Sequence, residues 1–239
     1  MVDRGDVQID EAAMRKYGIA PYLPAIKAGI GTIMVSDARW NGANMTGSKQ
    51  LITTILKDEL MFKGIVATDW EASSAAGGVV ATVNAGVDVL MQPTDWQSVA
   101  TTIAGAIGGA ITNERANDAV KRVLAVKCQA GLFGKTRDAS LMSKIGSTEH
   151  RALGRRAVAE SLVLLQNSAN ALPLKKAGKF WVAGSGADSL ERQCGGWSVS
   201  WQGGGGGTTG TTIKAAIAKQ GTVVATAGEA DAAIVVLSA

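Results

Sequence analysis

The sequence predicts an α/β protein with parallel strands, and three observations support this fold class. Short apolar runs occupy residues 31–36, 64–68 and 87–91. These runs are apolar throughout rather than alternating, which is typical of strands covered on both faces. Segments with helical spacing of apolar residues separate the runs, and parallel neighbours require such crossover connections.

Helices are expected between and around these strands in the first half of the chain. Leu51 and Ile55 lie four residues apart and form the expected inner face of one helix. Thr112 or Asn113 is a suitable amino-terminal cap for another. The predicted helices are residues 11–29, interrupted by Pro21 and Pro24, and residues 47–60, 77–86, 95–107 and 113–130.

A break in composition divides the chain. Residues 132–147 carry charges, serine and glycine with little periodicity, so they predict a linker. The predicted domains are therefore residues 1–131 and 148–239. Pattern alone leaves two architectures open for the first domain, the end of a (β/α)₈ barrel or an open doubly wound sheet.

The second half repeats the α/β pattern. It begins with a predicted helix over residues 148–166, with Val158, Leu162 and Leu165 on its apolar face. The remaining predicted elements are a strand at 179–183, a helix at 211–219, and strands at 222–226 and 232–237.

Composition and charge argue against several classes of function. The 239 residues carry a net charge of +4 and are 46% apolar, which is sufficient for a packed core. Basic residues are dispersed and are not interleaved with aromatics, so we expect no nucleic-acid partner. One histidine and two cysteines without CxxC or HExxH spacing predict no metal site. No apolar run reaches the roughly 18 residues of a membrane span, and the polar first residues do not predict a signal peptide.

The most informative candidate for chemistry is the pair Asp69 and Trp70. Asp69 directly follows a predicted parallel strand, and the carboxyl ends of such strands are where these folds place active sites. The indole offers a flat apolar face on which a sugar ring packs. The alternative is that Asp69 caps a helix over residues 71–85. Spacing alone leaves both interpretations open.

A glycine-rich segment carries a second candidate, the pair Trp197 and Trp201. In an extended chain their side chains share a face, because strand alternation returns after an even number of residues. Two aromatic walls there would form a sugar-binding slot, and the alternative is an aromatic pair in a core or interface. The five glycines at 203–207 lack a Walker lysine and a GxGxxG pattern, so we interpret them as a loop rather than a phosphate site.

Eight segments give the chain a resemblance to glycoside hydrolase family 3, specifically to its β-glucosidases and exo-glucanases. Each segment is weakly specific on its own, but their joint order and spacing agree with the family over nearly the whole chain. The segments are GDVQID, IMVSDARWNG, KDELMFKGIVATDW, VNAGVDVLMQP, NDAVKRVLAVKCQAGLF, GSTEHRALGRRAVAESLVLLQN, ALPL and QCGGWSVSWQG.

The resemblance implies a fold, an activity and a set of site residues. The fold is the last part of a (β/α)₈ TIM barrel followed by the first part of an α/β sandwich. The activity is retaining hydrolysis that releases terminal glucose from small β-glucosides or β-glucan oligosaccharides, with no cofactor. Asp69 is then the nucleophile, while Trp70 borders and Met34 underlies the sugar at the cleaved bond. Trp197 and Trp201 are the aromatic walls from the second domain.

The same resemblance also implies features that this chain lacks. It places the acid/base glutamate beyond Ala239 and the sugar-binding lysine and histidine before Met1, so we expect little activity from these residues alone. Asp37 departs from the family, which usually has an aromatic residue there, and adds a carboxylate close to Asp69. A β-N-acetylglucosaminidase and a non-catalytic carbohydrate-binding remnant stay open as alternatives. The compartment is not specified, and a periplasmic or secreted parent enzyme is compatible with the sequence.

Overall fold

The computed structural model shows an α/β protein. It describes residues 4–134, 136, 138–168, 170–198, 200–201 and 209–238. After Ala139 the chain divides into two compact units, and each unit has an apolar core of its own. Among the described residues, no helix combines the length and the apolarity needed to cross a membrane.

The first unit alternates short strands with helices at positions near those predicted. Its strands are β1 (Asp6–Val7), β2 (Thr32–Met34), β3 (Arg39–Trp40), β4 (Ala43–Asn44) and β5 (Ile65–Ala67). Its α-helices are α1 (Glu11–Ala13), α2 (Tyr22–Lys27), α3 (Val79–Ala85), α4 (Trp96–Ala106) and α5 (Asn113–Gln129). Two π-helices, Met14–Ile19 and Gln50–Glu59, and a 3₁₀-helix, Met45–Gly47, complete the unit.

A parallel arrangement of three segments organises this unit. β2 and β5 pair in parallel, with Met34 opposite Ala67. On the other side of β5, Val89 makes a parallel bridge to Ala67. The predicted parallel order of the three apolar runs is confirmed, although the third run forms a bridge rather than a longer strand. In a separate small sheet, β1 is parallel to β3 and β3 is antiparallel to β4.

Side-chain alternation separates a buried face of the β2–β5 pair from an open one. Ile33 and Val66 are buried and pack with Ile52 of the second π-helix and with Phe62. Burying each such side chain contributes about 1.5–3 kcal/mol to stability. Met34 lies on the opposite face of β2 and is 52% exposed. The described residues therefore cover one face of β2, whereas the sequence predicted cover on both.

An ionic cluster ties the amino-terminal ends of these strands to α5. Its members are Lys57, Asp88, Arg115, Asp118 and Arg122. The Asp88 side chain is fully buried and accepts hydrogen bonds from Lys57 Nζ at 2.7 Å and from Arg115. Arg122 donates to the carbonyl oxygens of Phe62 at 2.7 Å and Gly64 at 3.2 Å. The cluster lies at the end of the strands opposite to Asp69.

The second unit contains a three-stranded parallel sheet. Its strands are β6 (Lys179–Ala183), β7 (Thr222–Val223) and β8 (Ala232–Val235), with β6 in the centre. Its α-helices are α6 (Thr148–Ser161), α7 (Leu190–Cys194) and α8 (Ile213–Ala218), and 3₁₀-helices lie at Ala139–Lys144 and Ala227–Glu229. Phe180 and Val182 of the central strand form its core with Ala187.

The predicted end of one helix is wrong. The helix expected to reach residue 166 ends at Ser161, because Leu162 has an extended backbone with a ψ of 133°. The four apolar residues 162–165 lack helical periodicity, and they are exposed.

Candidate active site

The carboxyl ends of β2, β5 and the bridged segment meet at one edge, here called the carboxyl edge. It comprises residues 34–37, 68–71 and 89–92. The Val35 N–H donates to the Ala67 carbonyl at 2.8 Å, and the Thr68 N–H donates to the Val89 carbonyl at 3.0 Å. Asp69 follows β5 at this edge and is half-buried. The predicted position of Asp69 at the end of a parallel strand is therefore confirmed.

The chain after Asp69 turns rather than beginning a helix. The next helix, α3, begins at Val79 after Gly78, whose φ is 95°. The alternative that Asp69 caps a helix over residues 71–85 is therefore wrong. One carboxylate oxygen, Oδ1, accepts from the Trp70 N–H at 2.6 Å. Within the described part of the chain, the other oxygen has no hydrogen-bond partner.

Three hydrogen bonds hold the backbone around Asp69 in place. The buried Thr68 hydroxyl accepts from the Met91 N–H at 2.8 Å. The Met91 carbonyl in turn accepts from the Glu71 N–H at 2.8 Å. Glu71 has a φ of 51°, a left-handed backbone uncommon outside glycine, and its carboxylate accepts from the Thr94 hydroxyl. Strained backbone of this kind persists where surrounding contacts determine it, and it is frequent at functional sites.

Two further residues predicted for the sugar site lie at the same edge. Met34 ends β2 opposite Ala67, and Trp70 follows Asp69 directly. The Trp70 side chain is 54% exposed. An exposed indole and an exposed thioether at the same edge as a half-buried carboxylate provide apolar surface against which the carbon face of a sugar can pack. The structure therefore brings three of the predicted site residues to one edge.

The tryptophan pair of the second unit has a different geometry from that predicted. Trp197 and Trp201 contact each other edge to face, with ring centroids 6.0 Å apart. The Trp197 N–H donates to the Trp201 carbonyl at 3.1 Å, and Trp197 has a φ of 62°. Trp197 and Trp201 therefore meet through a hydrogen bond and a ring contact, and do not stand side by side along an extended chain as the alternation predicted. Both indoles are exposed, Trp197 by 83%. The glycines at 203–207 lie outside the described residues.

Asp37 has an ion-pair partner that the sequence does not reveal. Asp37 Oδ2 forms an ion pair with Arg4 Nε at 3.1 Å, and Asp37 Oδ1 accepts from Asn44 Nδ2 at 3.1 Å. The carboxylate that the sequence adds close to Asp69 is therefore paired with a cation. Arg4 and Asp37 are far apart in sequence, and β1 and β3 must pair before they meet. No local pattern signals this contact.

Comparison with protein families decides the affiliation of the chain. Residues 2–126 match the Glycosyl hydrolase family 3 N terminal domain, and residues 162–239 match the Glycosyl hydrolase family 3 C-terminal domain. The chain belongs to glycoside hydrolase family 3. The family match covers β2, β5 and the bridged segment, and hence the carboxyl edge described above.

Two relatives of the chain are both named as beta-glucosidases. The chain is 33% identical over 218 residues to a lysosomal beta glucosidase of Dictyostelium discoideum, covering 84% of this chain. It is 31% identical over 212 residues to a periplasmic beta-glucosidase of Salmonella typhimurium, covering 80% of this chain. In each case it spans 27% of the length of the relative.

A solved structure of the family shows the same fold. The exo-1,3/1,4-beta-glucanase from a Pseudoalteromonas species superposes with a TM-score of 0.83 at 37% identity. The superposition covers 99% of this chain and 33% of the glucanase chain. The α/β topology derived from the strand pairing therefore agrees with that of a family member.

Proposed function

We propose that this protein releases terminal non-reducing glucose from small β-glucosides or β-glucan oligosaccharides, with retention of configuration. The observation that carries this proposal is the half-buried Asp69 at the carboxyl edge, where one carboxylate oxygen has no partner among the described residues. The names of the relatives, two β-glucosidases and an exo-1,3/1,4-β-glucanase, support the substrate class.

Asp69 is the nucleophile in this proposal. Its unpaired oxygen attacks the anomeric carbon as the bond to the leaving oxygen breaks, and a glycosyl ester forms on Asp69. Water then attacks the same carbon, which restores the carboxylate and releases glucose with its original configuration. The leaving oxygen takes its proton from a general acid whose carboxyl group lies about 5–5.5 Å from the nucleophile in retaining enzymes. We assign that second role to no residue of this chain.

Four other side chains provide apolar surface for the sugar. Trp70 borders and Met34 underlies the glucose ring whose bond is cleaved, and their exposure at the carboxyl edge supports these roles. Trp197 and Trp201 are exposed aromatic residues of the second unit that we propose as sugar-binding side chains. Their edge-to-face contact supports this assignment because each ring holds the other while both remain exposed.

We propose the architecture that membership of glycoside hydrolase family 3 implies. Residues 1–131 are the last units of a (β/α)₈ barrel, residues 132–147 are a linker, and residues 148–239 are part of an α/β sandwich. Parallel strands with helices packed on one face support the barrel assignment. The parallel sheet of the second unit supports the sandwich assignment.

A covalent label provides the most direct test of this function. A 2-deoxy-2-fluoro-β-glucoside with a dinitrophenyl leaving group should glycosylate the protein, because that leaving group needs little help from a general acid. The fluorine slows hydrolysis of the ester, so the adduct persists. Peptide mapping by mass spectrometry should locate the adduct on Asp69.

The matched control is Asp69→Asn, whose amide has nearly the same shape but is a poor nucleophile. It should bind glucose yet remain unlabelled. A label on Glu71, the other carboxylate of this turn, would show that the nucleophile is misassigned. If the protein binds β-glucosides but is neither labelled nor able to hydrolyse a chromogenic β-glucoside, it is a carbohydrate-binding protein and the enzymatic proposal is wrong.

A further inference from the structure

An arginine is held at the carboxyl edge by a buried carboxylate. Asp37 lies three residues beyond the end of β2, and Asp69 lies two residues beyond the end of β5. Because these strands pair in parallel with Met34 opposite Ala67, both carboxylates belong to the same edge. Arg4 pairs with Asp37 and therefore lies at the edge on which Asp69 is found.

The environment of Asp37 is that of an orienting group rather than a reacting one. Its side chain is only 7% exposed, and each of its oxygens has a partner, Arg4 on one and Asn44 on the other. Asn44 is itself held, because its side-chain oxygen accepts from the Thr46 N–H at 2.9 Å. A buried carboxylate with these partners is fixed in position, and it fixes the guanidinium that it contacts.

The backbone that carries Arg4 is anchored as well. The Gly5 carbonyl accepts from the Arg39 N–H at 2.8 Å, and the Trp40 indole N–H donates to the Ile9 carbonyl at 2.8 Å. Arg4 has a φ of 55°, in the left-handed region that residues with a side chain rarely adopt. Contacts on β3 thus maintain an unfavourable backbone that directs this arginine.

The guanidinium retains donors for a ligand. Among the residues that the structure describes, Arg4 has a polar partner on Nε alone, and its side chain is 66% exposed. The two terminal NH₂ groups are therefore available, and they lie in one plane as a fork. Such a fork donates in parallel to two neighbouring oxygens.

We infer that Arg4 is a substrate-binding residue that donates to adjacent hydroxyl groups of the sugar at Asp69, with Asp37 as its positioning residue. This inference rests on the proposed function. Arg4 and Asp37 have opposite charges, so the pair is neutral, whereas Asp69 and Glu71 add negative charge to the same edge. A sugar carboxylate would meet that negative charge. Because the neutral pair provides no net positive charge to offset it, the carboxyl edge favours neutral sugars over uronic acids.

Binding measurements test this inference independently of catalysis. Dissociation constants for D-glucose, its monodeoxy analogues and D-glucuronic acid are measured by NMR titration of the full chain. Arg4→Ala should weaken glucose binding about 10- to 100-fold, the usual range for a hydrogen bond to a charged group. The unmodified protein should bind one or two of the monodeoxy analogues weakly. Arg4→Ala should bind those analogues and glucose equally, because the partner of the missing hydroxyl is gone.

Two variants separate recognition from folding. Asp37→Asn leaves the guanidinium charge unbalanced, so the affinity for D-glucuronic acid relative to glucose should rise, an effect that simple loss of structure does not produce. Arg15→Ala is the matched control, because Arg15 also forms ion pairs, with Glu11 and Glu59, away from the carboxyl edge. It should bind glucose as the unmodified protein does.

The outcomes distinguish the two proposals. If glucose binds and the label is found on Asp69, but Arg4→Ala binds every sugar as the unmodified protein does, this inference is wrong and the proposed function stands. If Asp37→Asn leaves the preference between glucose and glucuronic acid unchanged, the Arg4–Asp37 pair does not set that preference and this part of the inference is overturned. If the unmodified protein binds no sugar, both proposals are overturned.

Discussion

The Thr68 hydroxyl is fully buried between β5 and the bridged segment, where it accepts from the Met91 N–H. Valine has nearly the same shape but no acceptor, so Thr68→Val leaves the Met91 N–H buried without a partner. We expect a loss of about 1–3 kcal/mol in the free energy of unfolding, measured by urea titration. We also expect weaker labelling of Asp69, because Met91 holds the turn at Glu71.

Thr82→Val is the matched control at the residue scale. Thr82 is also fully buried, but its hydroxyl donates to the Gly78 carbonyl within its own helix turn. That carbonyl also accepts from the Thr82 N–H, so it keeps a partner when the hydroxyl is removed. The loss of stability should be smaller than for Thr68→Val. Equal losses of stability would show that the unpaired Met91 N–H does not account for the effect of Thr68→Val.

Strand β5 depends on a close backbone approach at its start. A side chain on Gly64 would overlap the carbonyl oxygen of Gly31 and lie 2.6 Å from the Phe62 ring. Gly64→Ala should therefore destabilise the protein by roughly 1–3 kcal/mol, because the backbone of the neighbouring strand must move. Gly105→Ala is the control, since Gly105 lies in α4 with open space around it. This variant should be more stable than the unmodified protein by about 0.5–1 kcal/mol. Thermal unfolding of both variants checks the difference in sign.

The ionic cluster connects α5 to the strands. Its charge balance predicts that removing a carboxylate destabilises the protein more than removing a cation. It contains three cations and two carboxylates, so removing one cation leaves the charges balanced. Asp88→Asn instead leaves buried cations without their common partner and should cost about 3–5 kcal/mol. Lys57→Met keeps the apolar stem and should cost less than half as much. Equal costs in urea unfolding would contradict the charge-balance argument.

At the scale of the whole molecule, the same cluster predicts an acid-sensitive stability. Burial alone would raise the pKa of Asp118, but the Lys57 charge and the Arg122 hydrogen bond hold this pKa below its ordinary value of 3.8. The folded state therefore binds the Asp118 proton less readily than the unfolded state does. The resulting stabilisation is complete above pH 3.8 and is lost as the pH falls through the lower folded-state pKa.

Urea unfolding between pH 6 and pH 2 checks this prediction, and Asp118→Asn should flatten part of the decline in stability on the acid side. If that decline is identical in Asp118→Asn and in the unmodified protein, Asp118 is not its cause.

Lys57 affects stability in the alkaline range. Burial lowers the pKa of Lys57 from 10.5, against the opposing effect of its hydrogen bond to Asp88. The unfolded state therefore keeps its Lys57 proton to higher pH, so the Lys57 contribution to stability rises with pH between the two pKa values.

Local pattern was sufficient for much of the fold. The apolar runs identify β2 and β5 because a strand covered by helices needs apolar side chains, and this requirement is visible within a few residues. The same pattern placed Asp69 at a strand end. It failed at residues 162–165, where an apolar run without periodicity fits a helix and an extended segment equally well.

The sequence by itself determined the α/β class, the parallel order of the first three apolar runs and the position of Asp69, because all three follow from local periodicity and from where each run stops. Only the tertiary structure decided that Arg4 meets Asp37, and that Trp197 and Trp201 contact each other edge to face. The first contact depends on which strands pair across distant parts of the chain. The second depends on backbone dihedrals that side-chain pattern does not encode, because a φ above zero leaves no periodic trace in the sequence.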